Sequence, residues 1–189
     1  MADAITADTS RNELLKIAAG GLVSGVITPL LPDAIDLLAQ APSMLRLGLV
    51  AVPFAVLVFI VVRRRSANPS WAALLAAIVT MVAFVAAVNA AVFFDAQMAG
   101  AARAMRSLFA GLAGGLVGSG VMASGIALLP AGPRKAEPWL PMLITGTVAG
   151  SLLALDTSLG LDRTSFLYPV WQAAVGVRLA LALRRARSS

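Results

Sequence analysis

The sequence contains neither cysteine nor histidine. That excludes disulfides, thiolate nucleophiles, Cys/His zinc sites, histidine-ligated haem, serine–histidine catalysis and histidine proton shuttles. Charge is scarce as well: 13% of the residues are charged and 59% are hydrophobic, against roughly 45–50% apolar usage in soluble domains. The nine acidic residues all lie outside the long apolar runs, so no carboxylate pair is available at depth for acid–base chemistry or for a metal. The sequence therefore reads as non-enzymatic, with no catalytic, cofactor-binding or metal-binding residues and no cofactor. The net charge of +6 does not point to nucleic acid, because the basic residues punctuate the ends of apolar runs instead of gathering on one water-facing patch.

What the chain does have is apolar length. Six runs stand out, at 14–31, 44–62, 71–94, 107–129, 139–155 and 166–183. Each is long enough to cross a bilayer as a helix, and each is continuously apolar where a barrel strand would alternate. The fold class expected is an all-α integral membrane protein with six transmembrane helices. The short stretches between the runs leave no room for a soluble domain, so residues 1–189 form a single polytopic unit. The first run is expected to be retained, since Asp3, Asp8 and Glu13 spoil the basic region of a signal peptide.

Lys and Arg in the short flanks set the orientation. With six spans, Arg11, Lys16, Arg63, Arg64, Arg65, Arg134, Lys135, Arg178, Arg184, Arg185 and Arg187 share one side, and only Arg46, Arg103, Arg106 and Arg163 face the other. Both termini are then cytoplasmic. Arg178 lies inside the last run and is expected to snorkel to the headgroups. Little lysine beside much arginine and alanine fits a GC-rich bacterial gene, hence a bacterial inner membrane. Trp71, Trp139, Trp171 and Tyr168 open their runs, as an interfacial aromatic belt would. Residues 32–43, with Asp33 as an N-cap, and 95–106 read as interfacial connections.

Glycine supplies a second signal. Gly21 and Gly25 in the first run, Gly111, Gly114, Gly115 and Gly118 in the fourth, and Gly146 and Gly150 in the fifth recur at four-residue spacing. Such small faces let helix backbones approach closely, within one chain or between subunits. Ala19–Val23 (AGGLV) also recurs as Ala113–Val117, Leu30–Pro32 as Leu128–Pro130, and the Pro-x-Trp of Pro69–Trp71 as Pro169–Trp171. The matches pair the first run with the fourth and the third with the sixth, outlining halves 1–94 and 95–189. A three-helix repeat must insert the opposite way round, giving the 3+3 inverted repeat common among transporters.

Polar side chains within the runs are the candidate pathway or substrate residues: Ser24, Thr28, Asn89, Ser119, Ser124 and Thr145. All are neutral, which leaves proton coupling without a carrier. Ser24 and Ser119, at similar depth on corresponding helices, form the sharpest pair. Two functions stand open. One is a permease- or channel-like transporter of a neutral or weakly charged small solute. The other is a non-catalytic membrane subunit or assembly factor that docks other helices through its glycine faces. The partners implied are the lipid bilayer and either a second copy of the chain or other membrane subunits.

Overall fold

The computed structural model describes residues 2–38, 43–161 and 165–188. It is 83% helical, with no strand among the described residues. The helices are α1 (Ala2–Ile27), continued by a 3₁₀ turn (Thr28–Leu30), α2 (Leu31–Leu38), α3 (Ser43–Val50), α4 (Val52–Arg65), α5 (Ser70–Gln97), α6 (Arg103–Ala127), α7 (Leu140–Gly150), α8 (Leu152–Ser158) and α9 (Leu167–Ser188). Among the described residues, four segments are long and apolar enough to cross a membrane: Arg11–Leu37, Ser70–Gln97, Arg103–Ala127 and Leu140–Ser158. They correspond to the first, third, fourth and fifth apolar runs. The runs at 44–62 and 166–183 are helical too, the former divided between α3 and α4 and the latter inside α9.

The interruptions follow from local chemistry. Pro53 has no N–H for the carbonyl four residues back and its ring crowds that carbonyl, so helix cannot run through it unbroken. The chain breaks two residues earlier, where the Ala51 N–H donates to Gly48 O at 3.1 Å. Pro29 sits at the start of the 3₁₀ turn that ends α1 in the same way. Between α7 and α8 no proline intervenes; there the Ser151 hydroxyl donates to Val148 O at 2.6 Å and offers the backbone an alternative to the helical ladder. By contrast α5 contains neither glycine nor proline and runs unbroken from Ser70 to Gln97.

One end of the bundle is basic. It gathers the start of α1, Arg63–Arg65 at the end of α4, the start of α5 and the end of α9, with Glu13 paired to Arg65 at 2.5 Å. At this end the Asn68 side chain accepts a hydrogen bond from the Ala131 N–H at 2.9 Å, fastening the α4–α5 connection to the α6–α7 connection. The opposite, distal end gathers the end of α1, the α5–α6 connection, α8 and the start of α9. Asp95 and Arg106 form an ion pair across the α5–α6 connection, and Asp36 of α2 pairs with Arg46 of α3.

Most of the fully packed interior lies in the basic half. Val58 and Val62 of α4, Met122 and Ile126 of α6, Met142 of α7 and Leu179 and Leu183 of α9 are buried together there. Large apolar residues also cover the outside, among them Val23 and Val26 on α1, Ile78 and Val82 on α5, and Ile144 and Val148 on α7.

The most extensive helix pairs are α5 with α6 and α1 with α9, followed by α6 with α7. At two of these the backbones nearly touch. A Cβ added at Gly111 would lie 2.1 Å from Gly150 O, and one at Gly115 would lie 2.2 Å from Gly146 O. On the other seam, a Cβ at Gly21 would meet Ala173 Cα at 2.4 Å and one at Gly25 would meet Pro169 Cα at 2.3 Å. Gly114 and Gly118 face α5 less tightly, with Ala87 O and Ala87 Cβ each at 3.0 Å.

Candidate functional site

The distal half is less filled than the basic half. Between α5 and α9, which hardly touch one another, runs a slot of about 220 Å³ floored by α6. Its α5 wall is a helical stripe, Thr80, Ala83, Phe84, Ala87, Val88 and Ala91, residues three and four apart that share one face. Small residues of α6, including Ala110, Gly111 and Gly114, make the floor. The α9 wall is Leu167, Tyr168, Trp171 and Gln172, and Phe54 of α4 closes the slot toward the basic half. Ring contacts brace it: Phe54 stands edge-on to Trp171 with centroids 5.7 Å apart, and Phe84 meets Tyr168 at 6.1 Å.

Gln172 is the polar centre of the inner wall and is only 1% exposed. Its Oε1 accepts a hydrogen bond from the Ser24 hydroxyl at 2.6 Å, and its Nε2 donates to Thr28 Oγ1 at 2.9 Å. Each hydroxyl also keeps a bond to its own helix, Ser24 to Gly21 O and Thr28 to Ser24 O. The last turn of α1 and the 3₁₀ turn that follows it thus hold one amide of α9 from both ends. The close approach at Gly21 and Gly25 makes this reach possible, since bulkier residues there would push α9 away.

A second pocket of about 220 Å³ lies at the distal end and is more polar. Arg103, Asp156, Thr157 and Ser165 line it, and Leu153, Leu167 and Tyr168 border both this pocket and the slot. Asp156 is buried, and its carboxylate caps α9, accepting from the Ser165 hydroxyl at 2.5 Å, the Phe166 N–H at 2.9 Å and the Leu167 N–H at 3.2 Å. Carboxylates suit helix N-termini, where unpaired N–H groups and the helix dipole favour negative charge.

The residues expected from sequence fall in different places. Ser24 and Thr28 reach the slot only through Gln172. Ser119 is fully buried on the α7 side of α6, bonded to Gly115 O at 2.6 Å and pressed against Gly146. It does not join Ser24. Asn89 is exposed and donates to Val85 O of its own helix at 2.8 Å. Ser124 is exposed beside a shallow groove between α5 and α6. Thr145 accepts from Arg178 Nε at 3.2 Å, so the arginine expected to snorkel ties α9 to α7.

Three aromatic residues expected in an interfacial belt turn inward. Trp171 donates to Gly146 O at 3.1 Å, Trp139 is buried with its N–H on Pro133 O at 3.0 Å, and Tyr168 lines both pockets. Gln172 itself was passed over in the sequence, although an amide one residue beyond Trp171 inside an apolar run is a legible signal. No group of three potential metal-ligating side chains forms among the described residues. No Asp, Glu, Lys or Arg lines the slot, and its chemistry is that of apolar contact with a few hydrogen-bonding groups. Comparison with known protein families, curated proteins and solved structures finds no match.

Proposed function

We propose that the protein is a small multi-pass membrane protein of permease- or channel-like type that handles a neutral or weakly charged small solute, with the α5–α9 slot as its solute site. The observation that carries this reading is the slot itself: an uncharged cavity, bounded at its inner wall by the Gln172 amide, among helices with apolar outer faces. In this reading six segments cross the bilayer: α1, α3 with α4, α5, α6, α7 with α8, and α9. The basic end then faces the cytoplasm with both termini, in a bacterial inner membrane. Helix pairing favours a 3+3 inverted repeat, since exchanging the first three spans with the last three carries α5–α6 onto α9–α1, the two most extensive pairs.

The competing reading, a membrane subunit that docks through glycine faces, loses its main support. Gly21 and Gly25 are occupied by α9, Gly111 and Gly115 by α7, and Gly114 and Gly118 by α5, all within one chain. A second copy or another subunit would have to bind elsewhere.

The absence of cysteine makes the test clean. Ala87→Cys places a thiol in the slot, Val82→Cys one on the exposed face of α5, and Thr157→Cys one in the distal pocket. A thiol must ionise to react, which needs water. In membranes, N-ethylmaleimide should modify Ala87→Cys much faster than Val82→Cys, with Thr157→Cys fastest. Equally slow reaction at Ala87 and Val82 would sink the permeation reading and favour a packed subunit. Reporter fusions after Arg65 and at the C-terminus should both report cytoplasm; an external signal at either refutes the six-span topology.

A further inference from the structure

The hydrogen-bonding groups of the slot are almost all committed to protein. Thr80 donates to Ala76 O at 2.8 Å, Trp171 to Gly146 O, and Gln172 is held at both ends. A hydrophilic solute would surrender its bonds to water and find few in return, which is unfavourable. An apolar body surrenders nothing, and dry apolar cavities of comparable size take apolar guests. Shape narrows the class further. Thr80 and Val92, the wall residues of α5 farthest apart, are separated by about 18 Å of helix, and the slot's 220 Å³ spread along that length is narrow enough for one chain in cross-section.

The polar groups that remain lie at the distal mouth. The Tyr168 hydroxyl makes no hydrogen bond, and Arg103 has no ion-pair partner, among the described residues. The oxygens of Asp156 are meanwhile occupied by Ser165 and the α9 N-terminus. The mouth therefore offers donors, and suits a head group that accepts hydrogen bonds.

We infer that the slot's ligand is a free single-chain amphiphile of fatty-acid type. Its apolar chain lies along α5 with the tip toward Thr80, and its head lies in the distal pocket beside Tyr168 and Arg103. This rests on the reading that the slot is the solute site. It narrows the solute from any neutral or weakly charged small molecule to one with an apolar chain.

The test uses the full chain in phosphatidylcholine nanodiscs and a dodecanoic acid bearing a diazirine near its methyl end. Photolysis should place adducts between Thr80 and Phe84 or on Met122. Unlabelled dodecanoic acid should compete and glycerol should not. Tyr168→Phe, which removes the unbonded hydroxyl and leaves the slot open, should weaken labelling roughly three- to tenfold. Ala87→Trp should abolish it by filling the slot; if that variant does not fold, Tyr168→Phe carries the test. Adducts outside the slot, equal competition by glycerol, unchanged labelling of Tyr168→Phe, or preferential slot labelling by a diazirine-tailed phosphatidylcholine would each overturn the inference. Reactivity of Ala87→Cys separates the two readings. A reactive slot without photoadducts refutes the ligand class alone, and a photolabelled but unreactive slot refutes permeation alone.

Discussion

The seam between α6 and α7 gives the sharpest quantitative expectation. Gly115→Ala adds one methyl group 2.2 Å from Gly146 O, where ordinary contact begins at 3.4 Å. The helices must separate locally by about 1.2 Å, and the interior is too densely packed to absorb such a shift for nothing. Gly111 lies one turn away and makes the same contact with Gly150, so the backbone cannot pivot about a neighbouring loose point. Overpacking of this kind costs typically about 1–3 kcal/mol. The control is Gly120→Ala on the same helix, whose Cβ would meet only Leu143 Cδ2 at 3.9 Å. There the better helix propensity of alanine should stabilise by up to about 1 kcal/mol. The two substitutions are chemically identical and should have opposite signs. Thermal or denaturant unfolding of the purified protein in one detergent reads both. Equal stability for the two variants, or Gly115→Ala at the wild-type value, would refute the argument that this seam sets the helix separation.

Further expectations follow from the polar contacts. Gln172→Leu should cost about 1–3 kcal/mol, because it removes two side-chain bonds that average about 0.6 and reach about 1.7 kcal/mol each among membrane helices, while both Ser24 and Thr28 retain acceptors on α1; failure to fold would show that the amide does more than bridge. Asp156→Ala should remove the α9 cap at a cost of about 0.5–2 kcal/mol, and hydrogen exchange should speed at Phe166 and Leu167 while the middle of α9 keeps its protection. Asn68→Ala should leave the Ala131 N–H unpaired and cost about 1–3 kcal/mol, read in the same unfolding assay; a neutral effect would mean that water replaces the bond.

The all-helical architecture was legible because long apolar runs leave few alternatives, and every run is helical in the structure. The interruptions were less so. Pro53 was visible in the second run, yet a span is judged on its average apolarity, which one proline barely changes. The break at Ser151 depends on one hydroxyl choosing a backbone acceptor, which no periodicity encodes. Glycine spacing marked the close seams but not their partners: the matched strings align Gly21 with Gly115, whereas Gly21 meets α9 and Gly115 meets α7. Gly114 and Gly118 of α6, which meet α5, stand one residue out of step with that alignment. The slot was not legible at all, because it is made by the absence of side-chain volume. Ala83, Ala87, Ala91 and Gly114 look like filler in an alanine-rich sequence until α5 and α9 stand apart around them.

The uneven filling of the two halves gives the bundle the mechanics of a clothes-peg. At the basic end, the Asn68–Ala131 bond and the dense interior act as the spring. At the distal end, Phe84 and Tyr168 form the one ring contact among the described residues that bridges the jaws formed by α5 and α9. Thermal energy should work the jaws and leave the spring closed. Spin labels at Val92 and Val170 should accordingly give a broader distance distribution than labels at Ala67 and Leu128, and equal widths would mean that the bundle moves as one block.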